Sequence, residues 1–343
     1  MIELRGIKFC NVVCASCTRS VSGEGWRLTR PFLNWTGSTL ITKTVTLEPR
    51  AGNMPLDENW QPLELLPSCI KTFFFQGAAL NALGLSGPGI KAILASGVWQ
   101  KIDEPFIISF MPLGASANER LAETSEFVKI LRAQLPHFKA KDKIALEINL
   151  SCPNVHSGFL GAESSIFLDE AYDILNEADR LRIPLIIKIN ALIPPSIANL
   201  IVKHPSCDAL DISNTIPFGA KTDPPISWWR YSSWWTLKGL LGLKSPLYYR
   251  RFNKGREEKE KQQGGLSGRP LYPVIFKWVE DFRRLNGDTN LIVGGGIFSA
   301  EDAIYLLKLD ADVISLGTAA MIRPWRVQGI IKAVNKYFET KKR

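Results

Sequence analysis

No window of the chain holds the roughly 18 uninterrupted apolar residues that a membrane-crossing helix needs, so none is expected. The opening MIELRGIKFCNVVCAS lacks the long apolar core and small-residue cleavage site of a secretory signal. Cysteine is sparse, with six in 343 residues (Cys10, Cys14, Cys17, Cys69, Cys152 and Cys207) and no spacing typical of a secreted disulfide scaffold. Reduced thiols in a cytoplasmic protein are therefore expected. Internal repeats and linker-like stretches are also missing. Charged residues make up 22%, near the globular average, and 45% of the chain is hydrophobic, which argues against disorder. That composition supports a sizeable core, in one large α/β domain or two smaller ones.

What is present is a formal charge of +9, and most of the excess is local. Between Ile226 and Gln263 stand nine Lys or Arg and three Glu, a net +6. The remainder of the chain is close to neutral, so the basic character belongs to one segment rather than to a nucleic-acid-binding face spread over the molecule.

Short β-rich runs alternate with longer amphipathic ones. Strands are predicted at Asn11–Ala15, Thr39–Val45, Phe106–Met111, Ile144–Leu150, Pro184–Ile189, Ala209–Ser213, Asn290–Gly294 and Val313–Leu316. The later ones are apolar without strict alternation, as strands covered on both faces should be. Helices are predicted at Ala117–Leu135, Ser165–Leu181, Pro195–Lys203, Val274–Asn286, Ala300–Leu309 and Trp325–Tyr337, with Ser116 and Ser299 as N-caps. Eight strands alternating with helices predict a (β/α)₈ TIM barrel, with an open doubly wound sheet as second choice. One segment breaks the rhythm: 217–263, a Trp-rich basic insertion after the sixth strand, containing WWRYSSWW and KSPLYYRRFNKGREEKEKQQ.

In such a barrel the carboxyl ends of the strands form the active site. The second strand ends with Lys43, the fourth with Asn149, Ser151, Cys152 and Asn154, and the fifth carries Lys188 and Asn190. The sixth ends in Asn214 and Thr215, the seventh in Gly294, Gly295 and Gly296, and the eighth in Gly317 and Thr318. Glycines after the last two strands allow backbone N–H groups to approach a phosphate, or simply form tight turns. Lys188 sits in an apolar run and needs an anionic or hydrogen-bonding partner, either a ligand or a structural ion pair. Asn81, Asn149, Asn154 and Asn214 each offer a donor and an acceptor, suited to an amide-like ring edge or to a turn. Cys152 is a candidate proton acceptor or a buried inert thiol, and Cys69 and Cys207 are read as inert.

Nine motifs in order resemble those of dihydroorotate dehydrogenases, flavin enzymes of pyrimidine synthesis: VVCAS from Val12, TKTVTLEPRAGN from Thr42, NALGL from Asn81, NLSCPN from Asn149, IIKIN from Ile186, SNT from Ser213, GGLSGRPLYP from Gly264, VGGGI from Val293 and LGTA from Leu316. The resemblance implies FMN across the barrel mouth. Its phosphate would meet Gly295, Gly296, Gly317 and Thr318, with Gly265 nearby. Its ring would meet Ala15, Ser16, Lys43 and Asn149, with Lys188 at the pyrimidine end. Dihydroorotate would lie among Lys43, Asn81, Gly84, Leu85, Asn149, Asn154, Asn214 and Thr215, with Cys152 as general base and no metal.

A cysteine at position 152 is similar to the family's soluble class. The membrane class carries serine and an amino-terminal helical extension, whereas Met1 to Cys10 alone precede the first strand here. The resemblance implies a cytoplasmic homodimer whose electron acceptor is fumarate, a quinone or a partner subunit. The segment 226–263 is read as a lid, a subunit contact or a peripheral membrane contact. Related flavin barrels that act on uracil or on tRNA dihydrouridine are the alternative. The former tend to carry His where Asn154 stands, and the latter carry a helical RNA-binding domain after the eighth helix, so no nucleic acid is expected. An iron–sulfur cluster on Cys10, Cys14 and Cys17 is disfavoured because a strand turns alternate residues to opposite sides.

Overall fold

The computed structural model describes residues 1–21, 23–151, 164–231 and 264–341. Among these, eight parallel strands close into a barrel: β1 (Val12–Cys14), β2 (Thr39–Ile41), β3 (Phe106–Phe110), β4 (Ile144–Asn149), β5 (Leu185–Ile189), β6 (Ala209–Ile212), β7 (Asn290–Gly294) and β8 (Val313–Leu316). Neighbours in the barrel are neighbours in the chain, and β8 closes on β1 through Leu316 against Cys14. The eight strands read from the apolar runs are these eight. The closed barrel replaces the open-sheet alternative because β1 and β6, too far apart to pair directly, are joined through β7 and β8.

The helices of the outer layer are α1 (Gly89–Ser96), α2 (Ala117–Gln134), α3 (Ser164–Ala178), α4 (Pro195–Ile201), α5 (Tyr272–Leu285), α6 (Ala300–Lys308), α7 (Thr318–Ile322) and α8 (Val327–Lys341). Both expected caps form. The Ser116 hydroxyl accepts the Glu119 N–H, and Ser299 and Asp302 make a reciprocal capping box on α6. The connection from β1 to β2 carries only a short 3₁₀ turn, Arg30–Phe32. Among the described residues no helix is long and apolar enough to cross a membrane.

Two further sheets close the ends of the barrel. At the amino-terminal end, the hairpin Ile2–Leu4 with Ile7–Phe9 plugs the bottom. Its Ile2, Leu4 and Phe9 pack on one residue from every strand, from Val13, Ile41 and Ile107 round to Val313. At the other end, a four-stranded antiparallel sheet is built from Ile216–Pro217, Gly265–Gly268, Ala78–Asn81 and Ile70–Phe73, in that spatial order. Asn81 and Gly265 lie in none of the strands predicted from the sequence. They are paired strand residues, because loops far apart in the chain meet over the barrel mouth. Of the basic insertion, residues 232–263 lie outside the described residues.

Helices α2 and α3 are joined by a buried ion pair. Arg120 donates from Nε and Nη2 to the two oxygens of Glu170, at 2.5 and 2.8 Å. Removing one partner strands the other's charge in the core, so Arg120→Ala should lower stability by ~3–5 kcal/mol. Arg120→Met combined with Glu170→Leu should come close to the parent. Urea denaturation of the three proteins measures the difference.

Candidate active site

Side chains of a strand alternate between barrel interior and outer face. Two residues beyond the apolar bottom layer, the interior therefore receives Ser109 from β3, Glu147 from β4, Lys188 from β5, Asp211 from β6, Gly294 from β7 and Ser315 after Val313 of β8. This second layer is polar and closed to solvent. The side chains of Lys188, Glu147 and Asp211 are 2%, 0% and 0% exposed.

The Lys188 ammonium donates to Ser16 Oγ at 3.0 Å and to Glu147 Oε1 at 3.4 Å, and lies 3.5 Å from Asp211 Oδ2. Glu147 Oε1 also accepts the Ser109 hydroxyl at 2.6 Å, and Ser109 is bonded in turn to Thr44 Oγ1 at 2.9 Å. Burial works against the Lys188 cation, but the adjacent Glu147 and Asp211 reverse this and raise its pKa. Burial pushes the Asp211 carboxyl up to about 8, opposed by Lys188 and reinforced by the neighbouring Glu147. Lys188 thus has the structural ion pairs that its apolar strand demanded, and it still reaches the cavity above. Glu147 and Asp211 were missed from the sequence. Counting in twos from the apolar layer along EIN and DIS would have placed both inside the barrel.

Above this layer a recess opens at the carboxyl ends of the strands, enclosing about 1220 Å³ counting its open mouth. Its lining includes Ala15, Ser16, Asn149 and Lys188, the turns Gly295, Gly296, Gly317 and Thr318, and Asn81, Leu85, Asn214 and Thr215. Asn214 Nδ2 donates to Asn149 Oδ1 at 2.7 Å and to Ser151 Oγ at 3.0 Å, which locks two amides of different strands together. Cys17, Trp26, Thr29 and Ile70 also face the recess and lie outside the nine motifs, and Ser267 faces it from within GGLSGRPLYP without having been given a role.

Three expected contacts fall elsewhere. Lys43 does not line the recess. The N–H groups of Thr42 and Val45 bond to the carbonyls of Ile107 and Ser109, so the β2 side holds one extra residue. That bulge brings Thr44 to Ser109 and turns the Lys43 N–H to the Ser20 carbonyl. The Lys43 ammonium is buried without a hydrogen-bond partner. Gly84 is turned against Gly52 and Asn53, and its carbonyl accepts from Arg50 Nε. Gly265 is paired with Asn81 in the upper sheet, and Ser267 and Gly268 face the recess instead. Cys152 and Asn154 lie outside the described residues; Ser151, immediately before Cys152, is buried and accepts from Asn214, which lines the recess.

Burial raises the thiols of Cys14 and Cys207 to about 11 and about 12, as expected of inert cysteines. Cys14 is buried in the β1–β2 wall, where its sulfur accepts the Ile41 N–H, whereas Cys17 faces the mouth. Among the described residues no group of three His, Cys, Asp or Glu is placed to hold a metal ion.

Residues 244–338 match the family described as dihydroorotate dehydrogenase. A Bacillus pumilus protein, dihydroorotate dehydrogenase B (NAD(+)) catalytic subunit, is 27% identical over 306 residues, covering 86% of this chain and 78% of its own. A protein of the same name from Endomicrobium trichonymphae is 26% identical over 348 residues, covering 99% and 92%. The crystal structure of DHODH from Eimeria tenella in complex with ferulenol superposes with a TM-score of 0.66 at 16% identity, covering 99% of this chain and 85% of that one. At that identity the likeness speaks for the fold.

The glycine turn after β7 is a structural requirement of the recess. Gly296 has φ +77°, and a Cβ there would sit 2.8 Å from the Gly268 carbonyl oxygen and from Tyr272 Cβ. Gly296→Ala should therefore destabilise the protein by ~1–3 kcal/mol, measurable as a lowered melting temperature.

Proposed function

We propose that the chain, which is similar to dihydroorotate dehydrogenases over most of its length, is a member of that family and oxidises dihydroorotate to orotate with FMN held in the barrel mouth. The observation that carries this reading is the recess itself. A lysine fixed by two carboxyls, a pair of interlocked amides and a side-chain-free glycine turn all face one cavity.

The donor set fits the cofactor. Gly295, Gly296, Gly317 and Thr318 offer uncovered backbone for a phosphate, and Lys188 offers a fixed cation for the electron-rich end of the ring. The buried hydroxyl of Ser315, at the recess, has no protein partner, so a ligand acceptor there would satisfy it. FMN, when bound, supplies the two-electron acceptor for the hydride leaving carbon 6 of the substrate.

The protein's own residues orient and move a proton. Asn149 and Asn214, with Asn81 and Asn154, would read the donor and acceptor edge of the pyrimidine. Leu85 and Thr215 would border it. Cys152, one residue beyond Ser151, would take the proton from carbon 5 as thiolate. Because the bacterial relatives are named as catalytic subunits of an NAD(+)-type dihydroorotate dehydrogenase, electrons would leave this chain through a partner subunit.

The purified protein should be yellow, or become so with FMN, and should bleach on anaerobic mixing with dihydroorotate. A folded protein that binds no flavin would overturn the assignment. Cys152→Ser should slow flavin bleaching by ~10²-fold or more near neutral pH while FMN stays bound; bleaching at the parent rate removes Cys152 from the base role. Reoxidation separates the acceptors: turnover with fumarate alone would refute the partner-subunit route, and failure with fumarate, quinone and free NAD+ supports it.

A further inference from the structure

The polar layer under the recess contains more acid than its cation balances. Glu147 and Asp211 flank the single ammonium of Lys188, and both carboxyls are closed to solvent. Register fixes the arrangement: Asp211 is the direct β-partner of Lys188, and Glu147 stands two residues before Asn149, the partner of Lys188 on the other side. Both carboxyls reach the one ammonium, at 3.4 and 3.5 Å, which makes them immediate neighbours in one dry pocket. Neither oxygen of Asp211 nor Oε2 of Glu147 makes a well-formed hydrogen bond, the neighbouring donor to Asp211 being the neutral Ser213 hydroxyl, itself without a well-formed bond. Other groups at this level bring no compensating charge. β3 presents Ser109, β7 Gly294 and β8 Ser315, and the loop after β1 brings the thiol of Cys17. Lys43, beyond the β2 bulge across the barrel, makes no ion pair with either acid.

Two ionised carboxyls in contact beside one ammonium leave a buried net negative charge, which a low-dielectric interior resists. A proton between them removes that charge and supplies the missing donor. We propose that Glu147 and Asp211 share one proton beneath Lys188, making Asp211 a positioning residue that keeps the cluster neutral while the ammonium stays charged and aimed into the recess. The effect on cofactor chemistry rests on the FMN reading above; the shared proton does not.

The proton gives the cluster a working pH range. The pKa of Asp211 in the fold, about 8, exceeds its unfolded value of ~3.9. The folded state therefore holds a proton that the unfolded chain has lost, and this group's contribution to stability declines as pH rises from ~4 towards ~8. Above that range the cluster is negative. Negative charge accumulating at the recess wall would make Asp211 hold its proton more tightly, which couples electron uptake there to protonation below.

Asp211→Asn is isosteric, neutral and able to donate to Glu147, so it imitates the protonated state at every pH. Infrared spectra of the full chain, with or without flavin, should show the carbonyl stretch of a protonated carboxyl at pH 6. That band should fade as the pH passes 8, and both Asp211→Asn and Glu147→Gln should lack it. Absence of the band in the parent, or its survival in both variants, overturns the shared proton. The melting temperature of Asp211→Asn should rise relative to the parent between pH 5 and pH 8; a constant difference contradicts the proposal. With FMN bound, the parent's midpoint potential should fall more steeply with pH above 8 than that of Asp211→Asn. Superimposable profiles overturn the positioning role. A protein that binds no flavin defeats the cofactor reading, and the infrared and melting results still decide the proton.

Discussion

Because an unpaired charge inside a barrel is costly, the Lys188 ammonium can occupy the interior only with anions fixed beside it. Parallel pairing supplies them. β4 and β6 flank β5, and their registers bring Glu147 and Asp211 to the level of the lysine. A slip of one residue in either strand would turn the acid outward into the helical layer and place Ile148 or Ile212 beside the charge. The ion cluster therefore pins the register of three strands, and the positions of Asn149, Ser151 and Asn214 at the strand ends follow from it.

The layer below explains why the cluster can be polar at all. The amino-terminal hairpin and one apolar residue from each strand seal the bottom of the barrel, so most of the interior burial is secured before the polar level begins. Above it, the chain has small residues where a flat ligand would need room: Ala15, Gly294, Gly295, Gly296 and Gly317. Stability is concentrated at one end of the barrel and chemistry at the other, the division of labour that this architecture favours. The upper four-stranded sheet then roofs the recess with segments from two connections, β2–β3 and β6–β7, so that Asn81 and Ser267 approach from directions no single loop could supply.

Fixing the lysine in this way also bears on the chemistry proposed for the site. An ammonium tethered to Ser16 and Glu147 cannot swing away, so its charge is preorganised towards the cavity rather than recruited by the ligand. The locked pair of Asn149 and Asn214 does the same for hydrogen bonding. A cavity prepared in both ways needs little rearrangement to favour one orientation of a planar, partly anionic ring.

Much of this was legible in the chain. The eight apolar runs, the caps at Ser116 and Ser299, the glycine turns, and the placing of Lys188, Asn149 and Asn214 at strand ends all follow from local rules: side-chain period, backbone freedom and capping chemistry. Three things were settled only by tertiary structure. The upper sheet forms between segments nearly two hundred residues apart, as Asn81 and Gly265 show, so no local pattern announces it. The β2 bulge brings Thr44 to Ser109 and turns Lys43 aside, because interstrand hydrogen bonds, not side-chain period, set where a residue is inserted. The contact between Glu147 and Asp211 exists because β4 and β6 flank the same strand; in sequence they are two unremarkable acids, and only barrel closure makes them share a dry interior with one lysine.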